Sequence, residues 1–128
     1  MFSFLIYSAN IFSQDYEKID SLLNELKNVR QDTNKAKVLL KLGDQSRYTI
    51  PDSSLIYFKQ AFDISSKSDV KRFIVRSANE IGTIYRSQGS YDKAIEYHLI
   101  ALKISVELDD NSGMAVLYGN IGIIHIEQ

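Results

Sequence analysis

Residues able to do chemistry are few and scattered in this 128-residue chain, which has no cysteine and only two histidines. Without cysteine there is no disulfide framework, no thiolate zinc site and no thiol nucleophile. His98 and His125 are the two imidazoles available as base or ligand. A metal or catalytic site needs clustered donors, which two histidines so far apart in sequence do not supply, so both read as packed side chains. Asp109 and Asp110 could hold a cation, but a solvated loop and helix start explain two adjacent aspartates more simply. Gly119-Asn120-Ile121-Gly122 lacks the preceding strand of a dinucleotide loop and reads instead as a close-packing pair of glycines. The chain contains no phosphate loop ending in Gly-Lys-Ser/Thr, no His-Glu-x-x-His and no Gly-x-Ser-x-Gly. Ser65-Ser66-Lys67-Ser68 reads as a polar helix end. The residues therefore predict no enzyme, no cofactor and no metal.

Composition points the same way. Hydrophobic residues make up 45% and charged residues 24%, with a net charge of −1. These are the proportions of a globular domain, and the near-neutral balance argues against a nucleic-acid partner. Tyrosines interleave with too few basic residues for a single-strand platform. One proline and six glycines leave few helix breakers. Residues 1–14 carry no charge and are too short to span a bilayer, which takes ~20 apolar residues. They read as a signal-peptide remnant or as an apolar N-terminus ahead of the first helix. The first reading implies export, to the periplasm or attached to a membrane as part of a longer protein. The second leaves the protein cytoplasmic. Membrane contact is expected only through parts outside this chain.

From Asp15 onward the apolar spacing is helical throughout. Ile19, Leu22, Leu23, Leu26 and Val29 form one stripe, and similar stripes follow at intervals set by polar or breaker-rich breaks. The pattern predicts an all-α chain of six helices, near 16–30, 34–48, 52–66, 70–87, 91–108 and 114–127. Asp32 or Thr33 is the expected cap of the second. Pro51 suits the start of the third. Gly89 suits a left-handed stop after the fourth, and 109–113 reads as the clearest loop.

Self-comparison reveals a repeat. Ser77–Tyr85 recurs as Leu117–His125, and Pro51–Tyr57 recurs as Tyr91–Tyr97, each forty residues later. A fixed period of this size in an all-helical chain means stacked helix pairs. Ala78, Ile81, Gly82 and Tyr85, followed by Ala94, His98 and Ala101, fall in the order of the tetratricopeptide repeat signature, and Gln88–Tyr97 resembles its turn and second-helix start. The chain resembles that family over about residues 35–128, with 15–128 as one repeat domain. Ala78 and His98 replace aromatics, Val106 replaces the final proline, and the period exceeds the usual 34. The resemblance implies a right-handed α-solenoid of antiparallel helix pairs. In that register Gly43, Gly82 and Gly122 mark close approaches between helices, with Ser54 and Ala94 as the small residues opposite.

The resemblance also implies a function: a scaffold presenting a concave groove, lined by the first helix of each pair, to a protein or peptide. Counted from the repeat glycines, its candidate residues are Lys37, Arg47, Arg76, Asn79, Thr83 and Arg86, with Asp44 offsetting part of the charge and Val116, Ile123 and Ile126 making an apolar end. The expected partner is an acidic or C-terminal segment, since arginine recognises carboxylates with a planar fork. On this reading, reversing Arg76 and Arg86 together abolishes binding without lowering the melting temperature. The apolar last helix lacks a polar outer face, so the third repeat reads as truncated and the helix as a self-association surface. The opening stretches also resemble the N-terminal halves of bacterial sensor histidine kinases, which implies a sensory segment whose output domain lies outside this chain.

Overall fold

The computed structural model describes residues 2–128, with side chains from Ser13 onward. Six helices follow one another: α1 (Phe2–Asn28), α2 (Asp32–Ser46), α3 (Pro51–Lys67), α4 (Lys71–Ser87), α5 (Tyr91–Glu107) and α6 (Asn111–Glu127). No strand occurs among the described residues.

Helix ends differ from the sequence expectation where local chemistry was misread. α1 begins at Phe2 rather than near residue 16, because the uncharged N-terminal stretch contains neither glycine nor proline to interrupt it. How the side chains before Ser13 are placed, on which the signal-remnant reading bears, lies outside the described residues. At α2 the capping position falls to Gln31, in extended conformation and without a side-chain cap bond. Asp32 is instead the first helical residue, where its charge faces the positive end of the helix. The expected 109–113 loop is shorter than read. Asp110 caps α6, its Oδ1 accepting a 2.9 Å hydrogen bond from the Gly113 amide, and Asn111–Gly113 become the first helical turn. α3 ends one residue beyond the expected 66, at Lys67.

The three later turns share one geometry. Asp69, Gly89 and Asp109 have φ of 51°, 74° and 53°. The amide just beyond each reaches back across the helix end, Val70 to the Ser65 carbonyl at 3.0 Å, Ser90 to Tyr85 at 2.9 Å and Asp110 to Ser105 at 3.0 Å. This is the Schellman arrangement, which satisfies carbonyls that the helix leaves open. Gly89 is the stop its type predicts. The two aspartates hold the same left-handed conformation at some energetic cost, which asparagine and aspartate bear better than other side chains.

Each helix packs on its chain neighbours, so α2, α4 and α6 form one layer and α1, α3 and α5 the other, with further contacts from α2 to α4 and from α4 to α6. Ile19 is buried, with Leu22, Leu23, Leu26 and Val29 packed beside the core, as the stripe predicts. Phe58, Leu39, Leu42 and Ile81 are fully enclosed. Ala61, Ala94 and Ala101 are fully buried where helices approach.

Two of the three repeat glycines make the close approach expected of them. A Cβ on Gly43 would lie 2.5 Å from the Phe58 ring, and one on Gly82 would lie 2.8 Å from the His98 ring. Ser54, opposite Gly43, also donates its Oγ to the Gly43 carbonyl at 2.7 Å. Gly122 departs from the expectation: nothing lies within 4 Å of its Cβ direction. No described helix packs on that side of α6, so the glycine there faces open space.

Candidate peptide-binding face

Five of the six candidate groove residues lie along α2 and α4, and Arg47 is the residue capping the C-terminal end of α2. The layer they occupy is stitched together by polar contacts between successive first helices. Arg47 pairs with Glu80 and Arg76 with Asp44, both between the α2 segment and α4. Between α4 and α6, Arg86 pairs with Glu127 at 3.4 Å, and Asn120 donates its Nδ2 to Asn79 Oδ1 at 2.9 Å. Thr83 turns back on its own helix, its Oγ1 donating to the Asn79 carbonyl at 3.0 Å.

These pairs change the electrostatics inferred from the sequence. The face is not a basic track, because each of its three arginines already faces a carboxylate. Counting from the glycines located the arginines, but Glu80 and Glu127 sit at other repeat positions and escaped that count. Arg47, four residues after Gly43, meets Glu80, two before Gly82, but Arg86, four after Gly82, meets Glu127 rather than the residue two before Gly122. Lys37 is exposed and joins no ion pair among the described residues.

The candidates fall into two cavities and one outlier. Arg76 and Asn79 line a cavity of about 300 Å³ between α4 and α6, together with Val75, Val116 and Leu117. Arg47, Thr83 and Arg86 line a second, of about 340 Å³, beside Pro51, Asp52 and Gln88 near the start of α3. Lys37 lines neither of the two. Arg72 and Val75, on the same side of α4 as Arg76, were missed by the sequence reading, since neither stands at the glycine-based positions. In the second cavity the Arg47 guanidinium also lies 5.8 Å from the centre of the Phe58 ring, and its buried Nε has no hydrogen-bond partner. Val116, Ile123 and Ile126 are exposed along α6.

The histidines part company. His98 is fully buried, and neither ring nitrogen has a hydrogen-bond partner. Burial, with a smaller contribution from the Arg86 charge, pushes its pKa below the ordinary value of 6.5, so the ring is neutral near pH 7. His125 is exposed, contrary to the packed position expected for it, because its side of α6 is uncovered. Among the described residues no three His, Cys, Asp or Glu side chains gather as metal ligands. No helix there is long and apolar enough to cross a membrane.

The glycine-on-ring contact, repeated at the α2–α3 and α4–α5 pairs, is the packing unit of the fold, and a family model for the tetratricopeptide repeat matches residues 73–128. These residues form a tetratricopeptide repeat. The match covers nearly all of α4 and the whole of α5 and α6. The pair α2–α3 precedes it but carries the same contact through Gly43 and Phe58. No curated protein matches the chain. A tetratricopeptide repeat points to a protein–protein interaction scaffold, a role carried by shape and surface rather than by reacting groups.

Proposed function

We propose that the layer formed by α2, α4 and α6 binds a peptide segment of a partner protein, anchored in the cavity between α4 and α6. The observation that carries this reading is the composition of that cavity. Val75, Val116 and Leu117 supply an apolar floor, and Arg76 and Asn79 supply polar groups at its edge. A ligand site of this kind takes its affinity from the apolar part and its orientation from a few placed polar groups. An acidic residue next to the apolar anchor suits it best, since Arg76 is half-exposed and able to share its guanidinium between Asp44 and a ligand carboxylate. Self-pairing of the arginines with chain carboxylates makes charge the minor contributor and the apolar anchor the major one.

Selection of a peptide library on the full chain tests the reading. Enriched peptides should carry an apolar residue flanked by an acidic one. Their binding should be lost in Val116→Glu and weakened in Arg76→Gln, with Lys37→Gln nearly neutral. Peptides whose binding ignores Val116→Glu would place the partner surface elsewhere.

A further inference from the structure

The cavity of about 340 Å³ where the ends of α2 and α4 meet the start of α3 lies outside the proposed peptide site. The two cavities sit toward opposite ends of α4, the first beside Arg76 and Asn79, this one beside Thr83 and Arg86. A space of this volume is at the small end of the range that small-molecule sites occupy. Its lining changes in kind with depth. Arg47, Thr83, Ile84 and Arg86 are half-buried, whereas Pro51 and Asp52, at the start of α3, are exposed at the rim.

Neither arginine is saturated by its own chain. Arg47 gives one Nη to Glu80, and its Nε is buried without a partner. Arg86 reaches Glu127 through one Nη, at 3.4 Å. A guanidinium carries five N–H donors, so both keep donors for a ligand. Asp52, the acidic residue lining this cavity, joins no ion pair among the described residues. One small space thus holds unmet positive charge on its walls and unmet negative charge at its rim. A simple anion suits it poorly, because Glu80 and Glu127 already offset the two arginines and Asp52 repels a further negative charge. A ligand carrying both signs escapes that repulsion. We infer that this cavity binds a free amino acid with an apolar side chain. Its carboxylate meets Arg47 and Arg86, its ammonium meets Asp52, and its side chain lies against Pro51 and Ile84. Each ligand charge leaves water only for an opposite one, which is the condition for burying either.

The test titrates the full chain with L-leucine, L-isoleucine, L-valine, L-methionine and L-phenylalanine in turn, read by NMR and calorimetry. At least one should bind one-to-one and saturably, with a Kd of about 1 mM or tighter. Shifts are expected at Asp52, Thr83, Ile84 and Arg86, and none at Val116 or Leu117. The amide of the best binder lacks the carboxylate, and its deaminated acid lacks the ammonium. Each should bind about ten-fold more weakly, or worse, as loss of a charge-assisted hydrogen bond does. Both probes leave the protein untouched, so misfolding cannot produce either result. Arg86→Gln should weaken binding of the amino acid but not of the amide, and Asp52→Asn that of the amino acid but not of the deaminated acid. Val116→Glu, which tests the peptide site, should change none of these affinities, so the two sites fail separately. The inference is overturned if none of the amino acids binds saturably or if the shifts lie on other residues. It is also overturned if the amide binds as well as the amino acid, or if the deaminated acid does, which would make the cavity a plain anion site.

Discussion

The His98 imidazole rests on the bare backbone of Gly82, so close that a Cβ there would lie 2.8 Å from its Cε1 and Nε2. Glycine inside a helix costs about 1 kcal/mol against alanine. At Gly82 that cost is offset by the ring packing that the missing side chain permits. At Gly122 nothing offsets it, since no group lies within 4 Å. The same substitution should therefore have opposite signs at two positions of one repeat. Gly82→Ala should destabilise the chain by about 1–3 kcal/mol, and Gly122→Ala should stabilise it by up to about 1 kcal/mol. Urea unfolding of both variants checks this. Equal effects would mean that the glycines serve helix geometry rather than packing.

Burial of His98 predicts a pH dependence of stability. Its pKa is lowered in the folded chain, by burial first and by Arg86 second. The unfolded chain therefore takes up the proton at higher pH than the folded one does. Stability from the neutral ring is fully present above the ordinary value of 6.5 and is lost as pH falls from there toward the folded value. Melting temperature should fall on acidification below that point, and His98→Phe should flatten this part of the curve. The variant should also melt higher at neutral pH, because it removes two buried nitrogens that lack partners.

The turns give a third expectation. Asp69 and Asp109 hold the left-handed conformation that Gly89 holds with no side chain to strain it. Replacing either aspartate with glycine should raise stability by up to about 1 kcal/mol, and Gly89→Ala should lower it by a similar amount. Asp110, one residue on, behaves differently because its carboxylate caps α6 through the Gly113 amide. Asp110→Ala should cost about 1 kcal/mol and speed amide exchange in the first turn of α6.

How much of this the sequence disclosed depended on the range of the interaction. Periodicity located the helices, and the forty-residue self-similarity gave the pairing, because both are written in residues on one helix or at one repeat position. Pro51 and Gly89 were readable since each constrains its own backbone. Asp69 and Asp109 were not, since aspartate tolerates the left-handed region without advertising it. α1 extends past its expected start because a lack of charge does not end a helix, whereas a breaker or a cap does. The groove suffered most. Its arginines stand at repeat positions and could be found by counting, but Glu80 and Glu127 meet them across helices, at offsets the repeat does not preserve. Arg47 finds Glu80, whereas Arg86, its counterpart one repeat later, finds Glu127 because Asn120 is not acidic and bonds to Asn79 instead.

Those cross-helix pairs revise the expected outcome of reversing the arginines. A carboxylate in place of Arg76 would face Asp44, and one in place of Arg86 would face Glu127, so the double reversal should lower the melting temperature as well as alter binding. The effect of each pair should be small where water reaches it. Arg76 and Asp44 have side chains 47% and 37% exposed, and a pair of that exposure is worth about 0–1 kcal/mol. Arg47 and Glu80 are 33% and 20% exposed, and Arg47 already carries an unpartnered Nε. Removing Glu80 leaves more of that guanidinium without a partner, which is more damaging than losing a solvated contact. Glu80→Ala should therefore cost more than Asp44→Ala, by roughly 1 kcal/mol or more. Double-mutant cycles for the two pairs, measured at low and at high salt, separate the contributions. The Arg76–Asp44 coupling should shrink toward zero as salt rises, since exposed charges are screened beyond about 3 Å at 1 M. The Arg47–Glu80 coupling should persist. If both vanish alike, the contacts between α2 and α4 are held by apolar packing alone, and both arginines are free to engage a ligand.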